Sequence, residues 1–262
     1  MSAKRTATKP KKTPRAPTKK PAASAKKRSE ATATIDVPFV LDWLEKKSTA
    51  RDRANLPRFG ITAKNALGVS MANLEVLAKR IGRNHRLAAG LWATGCYEAR
   101  MLATLVDDPA QVTATQMDRW CRDFDNWSIC DTACFHLFNQ TPHAFHKVAK
   151  WWNHPKEMVR RAAFALLACV ALRGVPVPDA VYAEGLVLAE RAAVDPRNFV
   201  KKAVSWALRA IGRRDADLHR EAMAVARRLA ASPDASARWV GRDALRGLEK
   251  TGVRKAPARR AR

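Results

Sequence analysis

The chain has 262 residues, and its 49 lysines and arginines outnumber its 24 aspartates and glutamates to give a formal net charge of +25. This length permits one or two domains, and the charge favours a polyanionic partner. No apolar run approaches the roughly 18 residues that a membrane span requires, and the N-terminus lacks the apolar core of a signal peptide. We therefore expect a soluble, cytoplasmic protein.

The five cysteines are odd in number, and their spacing frames no recognisable metal site. A reducing compartment is the expected setting for such a chain. Cys130 and Cys134 lie one helical turn apart and could in principle bind a metal, but we interpret them as small buried hydrophobes. We predict neither a metal nor an organic cofactor.

Residues 1–34 are almost wholly Lys, Arg, Ala, Pro, Thr and Ser, and they contain no large apolar residue between Met1 and the end of the segment. Such a segment cannot bury enough surface to offset its chain entropy, so we predict a disordered basic tail that binds polyanions. We predict that residues 250–262 form a second disordered basic tail. These two tails carry about +16 of the net charge, which leaves residues 35–249 basic in their own right.

From Asp36 onward the apolar residues recur with helical spacing and no run alternates as a strand. One stripe covers residues 37–44, and a second covers residues 71–81 after Ser70, the predicted N-cap. Thr115 and Asp118 have the spacing of a capping box at the start of a further helix. The sequence therefore predicts an all-α fold.

Four prolines mark an internal repeat, because Pro109, Pro155, Pro196 and Pro233 are 46, 41 and 37 residues apart and a helical pattern follows each one. Small residues and basic residues return at matching positions within these segments. Helix pairs with a period near 40 are typical of HEAT-like solenoids, which present a concave binding surface. We predict a right-handed α-solenoid over residues 35–249 with a concave basic groove.

Trp206 faces away from the apolar side of its predicted helix, at about 100° per residue. An indole among cations is suited to stacking on a base or a sugar. The alternative is that Trp206 packs against an adjacent repeat. Its neighbours on the same side of the helix are basic: Lys202, Arg209 and Arg213.

A ladder of basic residues follows the same repeat. Arg160 and Arg161 project away from the apolar side of their helix, where a guanidinium could bind phosphate oxygens. A pair of arginines is usually only a solvated face, but their recurrence favours a binding function. The corresponding positions in later repeats are Lys201, Lys202 and Arg238.

Trp127 and Asp131 lie one turn apart at the edge of a predicted apolar stripe, so both side chains can reach the rim of a groove. A carboxylate beside an aromatic face is suited to stabilising positive charge on a bound group. The alternative is an acid paired with a nearby arginine and a tryptophan half-buried between repeats. The residues alone favour neither interpretation over the other.

Five motifs together resemble the HEAT-like-repeat DNA alkylation repair glycosylases, the AlkD family. They occur in the family's order across roughly residues 36–249, and each is weak alone. They are Phe59-Gly60-Ile61, Leu91-Trp92 with Glu98-Ala99-Arg100, Trp127 with Asp131, Arg160-Arg161-Ala162, and Val204-Ser205-Trp206-Ala207-Leu208.

This resemblance implies a DNA glycosylase that removes alkylated purines from duplex DNA. The family site uses two tryptophans, one aspartate and one arginine, which correspond here to Trp127, Trp206, Asp131 and either Arg160 or Arg161, with Arg161 preferred. We expect a monofunctional enzyme, because no lysine is suitably placed to act as a Schiff-base nucleophile. We also expect it to work without metal or cofactor and as a monomer, because a curved solenoid that holds one duplex needs no partner subunit. The alternatives are a non-catalytic binder of distorted or branched DNA and a HEAT scaffold that binds proteins.

Overall fold

A computed structural model of the protein describes residues 35–173 and 178–250. The predictions for residues 1–34, and for the C-terminal tail beyond Lys250, lie outside the described residues. Lys250, the first residue of the predicted tail, instead ends the last helix.

The prediction of an all-α fold is confirmed, because the described residues form α-helices and two short 3-10 helices, with no strand. The 3-10 helices cover Leu56–Phe59 and Phe138–Gln140. The α-helices are α1 (Val37–Lys47), α2 (Ala50–Asn55), α3 (Met71–Ile81), α4 (His85–Ala93), α5 (Tyr97–Val106), α6 (Ala114–Arg122), α7 (Trp127–His136), α8 (Ala144–Trp151), α9 (Glu157–Arg173), α10 (Asp179–Ala192), α11 (Asn198–Ile211), α12 (Ala216–Ala230) and α13 (Ala235–Lys250).

The helices stack in the manner of a solenoid. Helices α3, α5, α7, α9, α11 and α13 pack side by side in that order, each against the next. Helices α4, α8, α10 and α12 each pack against the odd-numbered helix that follows them. Each helix pair contacts mainly its neighbours, as expected for HEAT-like repeats.

The proline repeat marks the start of three stacked helices. Pro155, Pro196 and Pro233 each lie two residues before α9, α11 and α13 respectively, whereas α6 begins five residues after Pro109. Close packing at the last repeat requires glycine, because a Cβ on Gly241 would lie 2.3 Å from the backbone nitrogen of Ala230. The small residues of the repeat therefore allow neighbouring helices to approach.

Two helix starts test the capping predictions. Ser70 caps α3 as predicted, since its hydroxyl accepts a hydrogen bond from the Asn73 N–H. The capping box at Thr115 is wrong: α6 starts at Ala114, and the cap is Thr113. Asp118 serves the neighbouring helix instead, where it accepts hydrogen bonds from Lys150 and Trp151 of α8.

Glu98, from one of the five motifs, fixes the loop before α3. Its carboxylate is fully buried and accepts hydrogen bonds from the N–H groups of Leu67, Gly68 and Val69, at 2.9, 2.7 and 3.3 Å. Gly68 has a φ of +90°, a conformation that glycine adopts without strain. A buried acid thus satisfies three loop donors that would otherwise lack partners.

Asp195 joins α9 to the start of α11. This buried carboxylate accepts hydrogen bonds from Arg160 of α9 at 2.6 Å and from Arg197, just before α11, at 2.6 Å. Desolvation acts to raise the pKa of Asp195, but the hydrogen bonds from Arg197 and Arg160 outweigh it and lower that pKa to about 2. The ion pairs therefore stabilise the folded chain only while Asp195 is ionised.

The cysteines are reduced, and four of them lie in the helix core: Cys121, Cys130, Cys134 and Cys169. Burial raises the pKa of the Cys121, Cys134 and Cys169 thiols well above that of a free cysteine. These thiols act as small apolar side chains, as the sequence indicated for Cys130 and Cys134.

Across the two described ranges, every helix is too short or too polar to cross a lipid bilayer.

We predict that Asp195→Asn flattens the acid limb of the stability curve. A carboxyl with a folded-state pKa of about 2 and an unfolded pKa of about 3.9 contributes stability above about pH 4, and this stability is lost as the pH falls through about 2. Urea unfolding between pH 7 and pH 3 measures this: the free energy of unfolding should fall less steeply in the variant. Asp217→Asn removes a carboxylate whose side chain is 79% exposed and should keep the wild-type slope. Equal slopes for the Asp195 variant and the wild type would contradict the assignment.

Candidate functional site

The first turn of α7 places Trp127 and Asp131 on one side of the helix. Asn126 caps α7, and its side chain accepts hydrogen bonds from the Ser128 and Ile129 N–H groups. Trp127 is the first helical residue, and Asp131 follows one turn later. Both side chains are half-buried.

Asp131 is held by a bidentate ion pair with Arg161 of α9. The Arg161 Nε donates to Asp131 Oδ1 at 2.9 Å, and Nη2 donates to Oδ2 at 2.6 Å. The Asp131 side chain is 21% exposed and that of Arg161 only 7%. Paired donors and acceptors of this kind fix both position and orientation.

The buried position of Arg161 corrects the expectation that this residue projects outward to a phosphate. Its third contact is also internal, because Nη1 donates to the carbonyl oxygen of Phe199 at 2.8 Å. The guanidinium can be buried because Asp131 balances its charge and three hydrogen bonds replace water. Arg161 therefore orients Asp131 within the protein.

The pair has the electrostatics of a partly desolvated ion pair. Desolvation raises the pKa of the Asp131 carboxyl above its usual range, while the charge of Arg161 acts to lower it. Desolvation acts to lower the pKa of Arg161, but the charge of Asp131 outweighs it and raises that pKa. A guanidinium stays protonated in proteins, so the carboxylate faces a permanent cation.

The backbone of Phe199 connects this pair to α11. Its carbonyl accepts from Arg161, and its N–H donates to the Glu157 carboxylate at 3.1 Å. Glu157 and Arg161 are four residues apart and lie on one side of α9. Thus α9 holds the start of α11 with one acid and one base, and the site spans α7, α9 and α11.

Trp127 is anchored by its indole nitrogen. Nε1 donates a hydrogen bond to the carbonyl oxygen of Phe59 at 2.8 Å. Because the only polar atom of the indole is used inside the protein, the ring face is the part that remains for a ligand. The segment that ends at Phe59 thereby contacts the first turn of α7.

Trp206 lies two turns along α11 from Phe199, on the same side of the helix and about 10 Å away along its axis. It is half-buried and packs partly on the core. Within the described residues, no hydrogen bond or ring contact joins Trp206 to Trp127 or Asp131. Trp206 therefore lies half-buried on the helix that Arg161 contacts, two turns beyond Phe199, and not in contact with Trp127 or Asp131.

Several residues of the predicted basic ladder are used between helices. Arg160 donates to Asp195 and to the Asn153 side chain, so it ties α9 to its surroundings instead of pointing freely outward. Lys201 lies 5.0 Å over the ring of Trp239 on α13. Contacts between helices thus engage some of the basic side chains of the ladder.

The remaining members of the ladder are more accessible. Lys202 is exposed, whereas Arg209 is 34% exposed and donates from Nε to the Ser205 carbonyl at 3.3 Å. Arg238 donates to the Ser232 carbonyl at 2.9 Å, and Arg213 is partly exposed. These side chains leave positive charge along α11 and the start of α13.

A cavity of about 330 Å³ lies beside the site. Phe59 lines it, together with residues of α3, α5 and α7 that include Met101, Ser128 and Thr132. Sequence reasoning missed the roles of Phe59, Glu157 and Phe199 in this region. The motif around Phe59 was visible, but nothing in the sequence pairs it with Trp127, 68 residues away.

Among the described residues, no group of three or more His, Cys, Asp or Glu side chains is arranged to hold a metal ion.

We predict that Arg161→Met lowers the free energy of unfolding by roughly 2–4 kcal/mol, because Asp131 and the Phe199 carbonyl both lose a buried partner. The cost should be smaller in the Asp131→Asn background, which removes the unpaired charge. Urea unfolding of the four proteins measures this coupling. The exposed pair Arg220–Asp217 provides the control cycle and should show almost no coupling. Effects that add within about 0.5 kcal/mol at Asp131 and Arg161 would contradict the pairing.

Comparisons with known proteins agree with this architecture. A solved structure described as "a new family of proteins related to the HEAT-like repeat DNA glycosylases with affinity for branched DNA structures" matches with a TM-score of 0.68 and 19% identity. The match covers 82% of this chain and 96% of that one, and it shows that the two share a fold. No curated protein matches the chain at a significant level. The family model for DNA alkylation repair enzymes matches residues 40–248, so the chain belongs to the DNA alkylation repair enzyme family.

Proposed function

We propose that the protein is a monofunctional DNA glycosylase that hydrolyses the N-glycosyl bond of alkylated, cationic purines in duplex DNA. The observation that carries this proposal is the fixed carboxylate of Asp131, one turn from the ring of Trp127 and oriented by Arg161. Membership of the DNA alkylation repair enzyme family supports it.

The chemistry of the lesion explains why one acid suffices. Alkylation at a ring nitrogen makes the purine cationic, so the base leaves as a neutral molecule when it takes the bonding electrons. No strong general acid is needed for that step. The deoxyribose is left with oxocarbenium-like positive charge, which a nearby carboxylate stabilises electrostatically.

Arg161 weakens this stabilisation without cancelling it. At an effective dielectric constant of about 20, a carboxylate about 4 Å from the sugar contributes about 4 kcal/mol, and a guanidinium about 8 Å away opposes it by about 2 kcal/mol. The net effect of about 2 kcal/mol corresponds to a rate factor of about 30. The ion pair also holds the carboxylate in one orientation, which limits reorganisation during the reaction.

Asp131 can also position the water. Each carboxylate oxygen has lone-pair sites beyond those used by Arg161, and 21% of the side chain is exposed. In the proposed reaction the water oxygen bonds to C1′ as the glycosyl bond breaks, and the released proton passes to Asp131 or to solvent. The products are the free base and an abasic site.

The tryptophans supply contact surface in this proposal. The ring faces of Trp127 and Trp206 stack on the lesion or its sugar and attract the cationic base through cation–π contacts. Lys202, Arg209 and Arg213 contact the phosphate backbone along α11 and keep the duplex in register. Arg161 and Arg160 act from inside the protein, where they position Asp131 and the start of α11.

A second candidate function is binding of distorted or branched DNA without turnover. It is favoured by the solved relative, which is described as having affinity for branched DNA structures. The ion pair of Asp131 with Arg161 also suits this function, because a neutralised acid does not repel phosphate. Release of free base separates the two functions.

We predict that the protein releases free methylpurine from randomly methylated DNA and that Asp131→Asn slows single-turnover release by about 10²- to 10³-fold. The substitution removes about 4 kcal/mol of attraction for the sugar and leaves the Arg161 charge unbalanced. Chromatography of the released bases gives the rate, and DNA affinity should change less than about threefold.

The matched control for this experiment is Asp125→Asn. Asp125 is an exposed acid two residues before Trp127, so its substitution makes the same change in net charge near the same helix. It should leave the excision rate near that of the wild type. Wild-type excision by the Asp131 variant would remove Asp131 from the mechanism, and the absence of release by the wild type would favour the binding function.

We further predict that deletion of residues 1–34 weakens DNA binding uniformly across sequences and flattens its salt dependence. The segment carries a net charge of +10, and each phosphate that it neutralises contributes about −0.9 to the slope of log K against log salt. Binding titrations between about 50 and about 200 mM salt provide the measurement. A tail of shuffled sequence should restore the slope, and an unchanged slope after deletion would show that the tail has another partner.

A further inference from the structure

Phe59 is an exposed aromatic residue fixed beside the site. Its side chain is 66% exposed, the highest value among the exposed large apolar residues that the structure describes. Exposed apolar residues are common on protein surfaces, so exposure alone assigns no role. Its position relative to Trp127 and α11 is what distinguishes it.

The backbone around Phe59 is tied to two helices of the site. The Trp127 indole donates to the Phe59 carbonyl at 2.8 Å, and a Cβ on Gly60 would lie 3.9 Å from Cζ of Phe199. Gly60 has a φ of +69° and donates its N–H to Pro57. The turn therefore lies against the start of α7 and the Phe199 ring at the start of α11.

This arrangement fixes the backbone of Phe59 without burying the ring. Pro57 lies within the first turn of the 3-10 helix, where it restricts the backbone, and Gly60 ends that helix in the left-handed conformation. Because the peptide is held from both sides, little backbone freedom remains to be lost when the ring binds a partner. Such preorganisation favours binding.

The charge around Phe59 indicates what that partner is. Residues 50–64 contain four exposed basic residues and one acid, so the segment has a net charge of +3. A basic surface around an exposed ring complements a polyanion with aromatic bases and repels a basic protein surface. The basic residues are Arg51, Arg53, Arg58 and Lys64.

We propose that Phe59 is a DNA-contacting residue whose ring inserts against a base next to the lesion and unstacks it while Trp127 and Asp131 face the damaged nucleotide. Apolar side chains that enter a base step in this way kink the duplex and expose the sugar. The inference rests on the proposed function in that it assumes a DNA duplex at this site, but it does not require turnover.

The test uses the full chain and a duplex that cannot react. The duplex carries a tetrahydrofuran analogue of an abasic site with 2-aminopurine as the neighbouring base. Wild-type protein should raise the 2-aminopurine fluorescence several-fold on binding, because the base becomes unstacked. Phe59→Ala should abolish this rise and weaken binding roughly tenfold, the order expected for one stacked aromatic.

Two further variants separate stacking from folding. Phe59→Trp should retain both the fluorescence rise and the affinity, since it keeps an aromatic face. Val187→Ala shortens another exposed apolar residue, 54% exposed on α10, and should behave as the wild type. Because the position is exposed, the Phe59 variants should also unfold at the same urea concentration as the wild type.

Wild-type affinity and a wild-type fluorescence rise in Phe59→Ala would overturn the inference and leave the proposed glycosylase intact. A fluorescence rise that depends on Phe59 in a protein that releases no methylpurine would support the inference and overturn the glycosylase. Failure of the wild-type protein to bind the duplex would overturn both.

Discussion

The site depends on one buried arginine that donates hydrogen bonds to two neighbouring helices. Arg161 extends from α9, pairs with Asp131 on α7 through two hydrogen bonds and donates a third to the carbonyl of Phe199 on α11. Three successive repeats are thereby fixed in register at the place where the candidate acid lies. A solenoid whose repeats contact mainly their neighbours can change curvature through small rotations between repeats, and a shared ion pair of this kind opposes such rotations at one level of the stack.

A basic protein of this kind must use its arginines in two ways. Arg160 and Arg197 converge on Asp195, so their charges stabilise the stacking of repeats and contribute less to the field outside. The long-range attraction of a polyanion falls instead to exposed side chains such as Lys202 and to the basic tails. Net charge alone therefore overstates the basic surface that the folded helices present.

The helical fold was predictable because local signals determine it. The apolar spacing, the cap at Ser70 and the prolines before α9, α11 and α13 all depend on neighbouring residues, and each agrees with the structure.

The cap of α6 was misplaced because Thr113 and Thr115 offer equivalent hydroxyls two residues apart. Helix angles identify a polar side but not whether another repeat covers it. The sequence therefore offered pairing of Asp131 with an arginine only as an alternative, which the structure confirms, and it could not identify Arg161 as the partner. The hydrogen bond of Trp127 to Phe59 crosses 68 residues and leaves no local pattern.

The buried thiols of the helix core bear on the chemistry that surrounds DNA alkylation repair. Agents that alkylate DNA also attack cysteine, and they react with the thiolate and not with the thiol. The pKa values of Cys121, Cys134 and Cys169 are raised by burial, so these groups are protonated and shielded from solvent at neutral pH. Burial therefore makes these three thiols poor targets for the electrophiles that damage DNA.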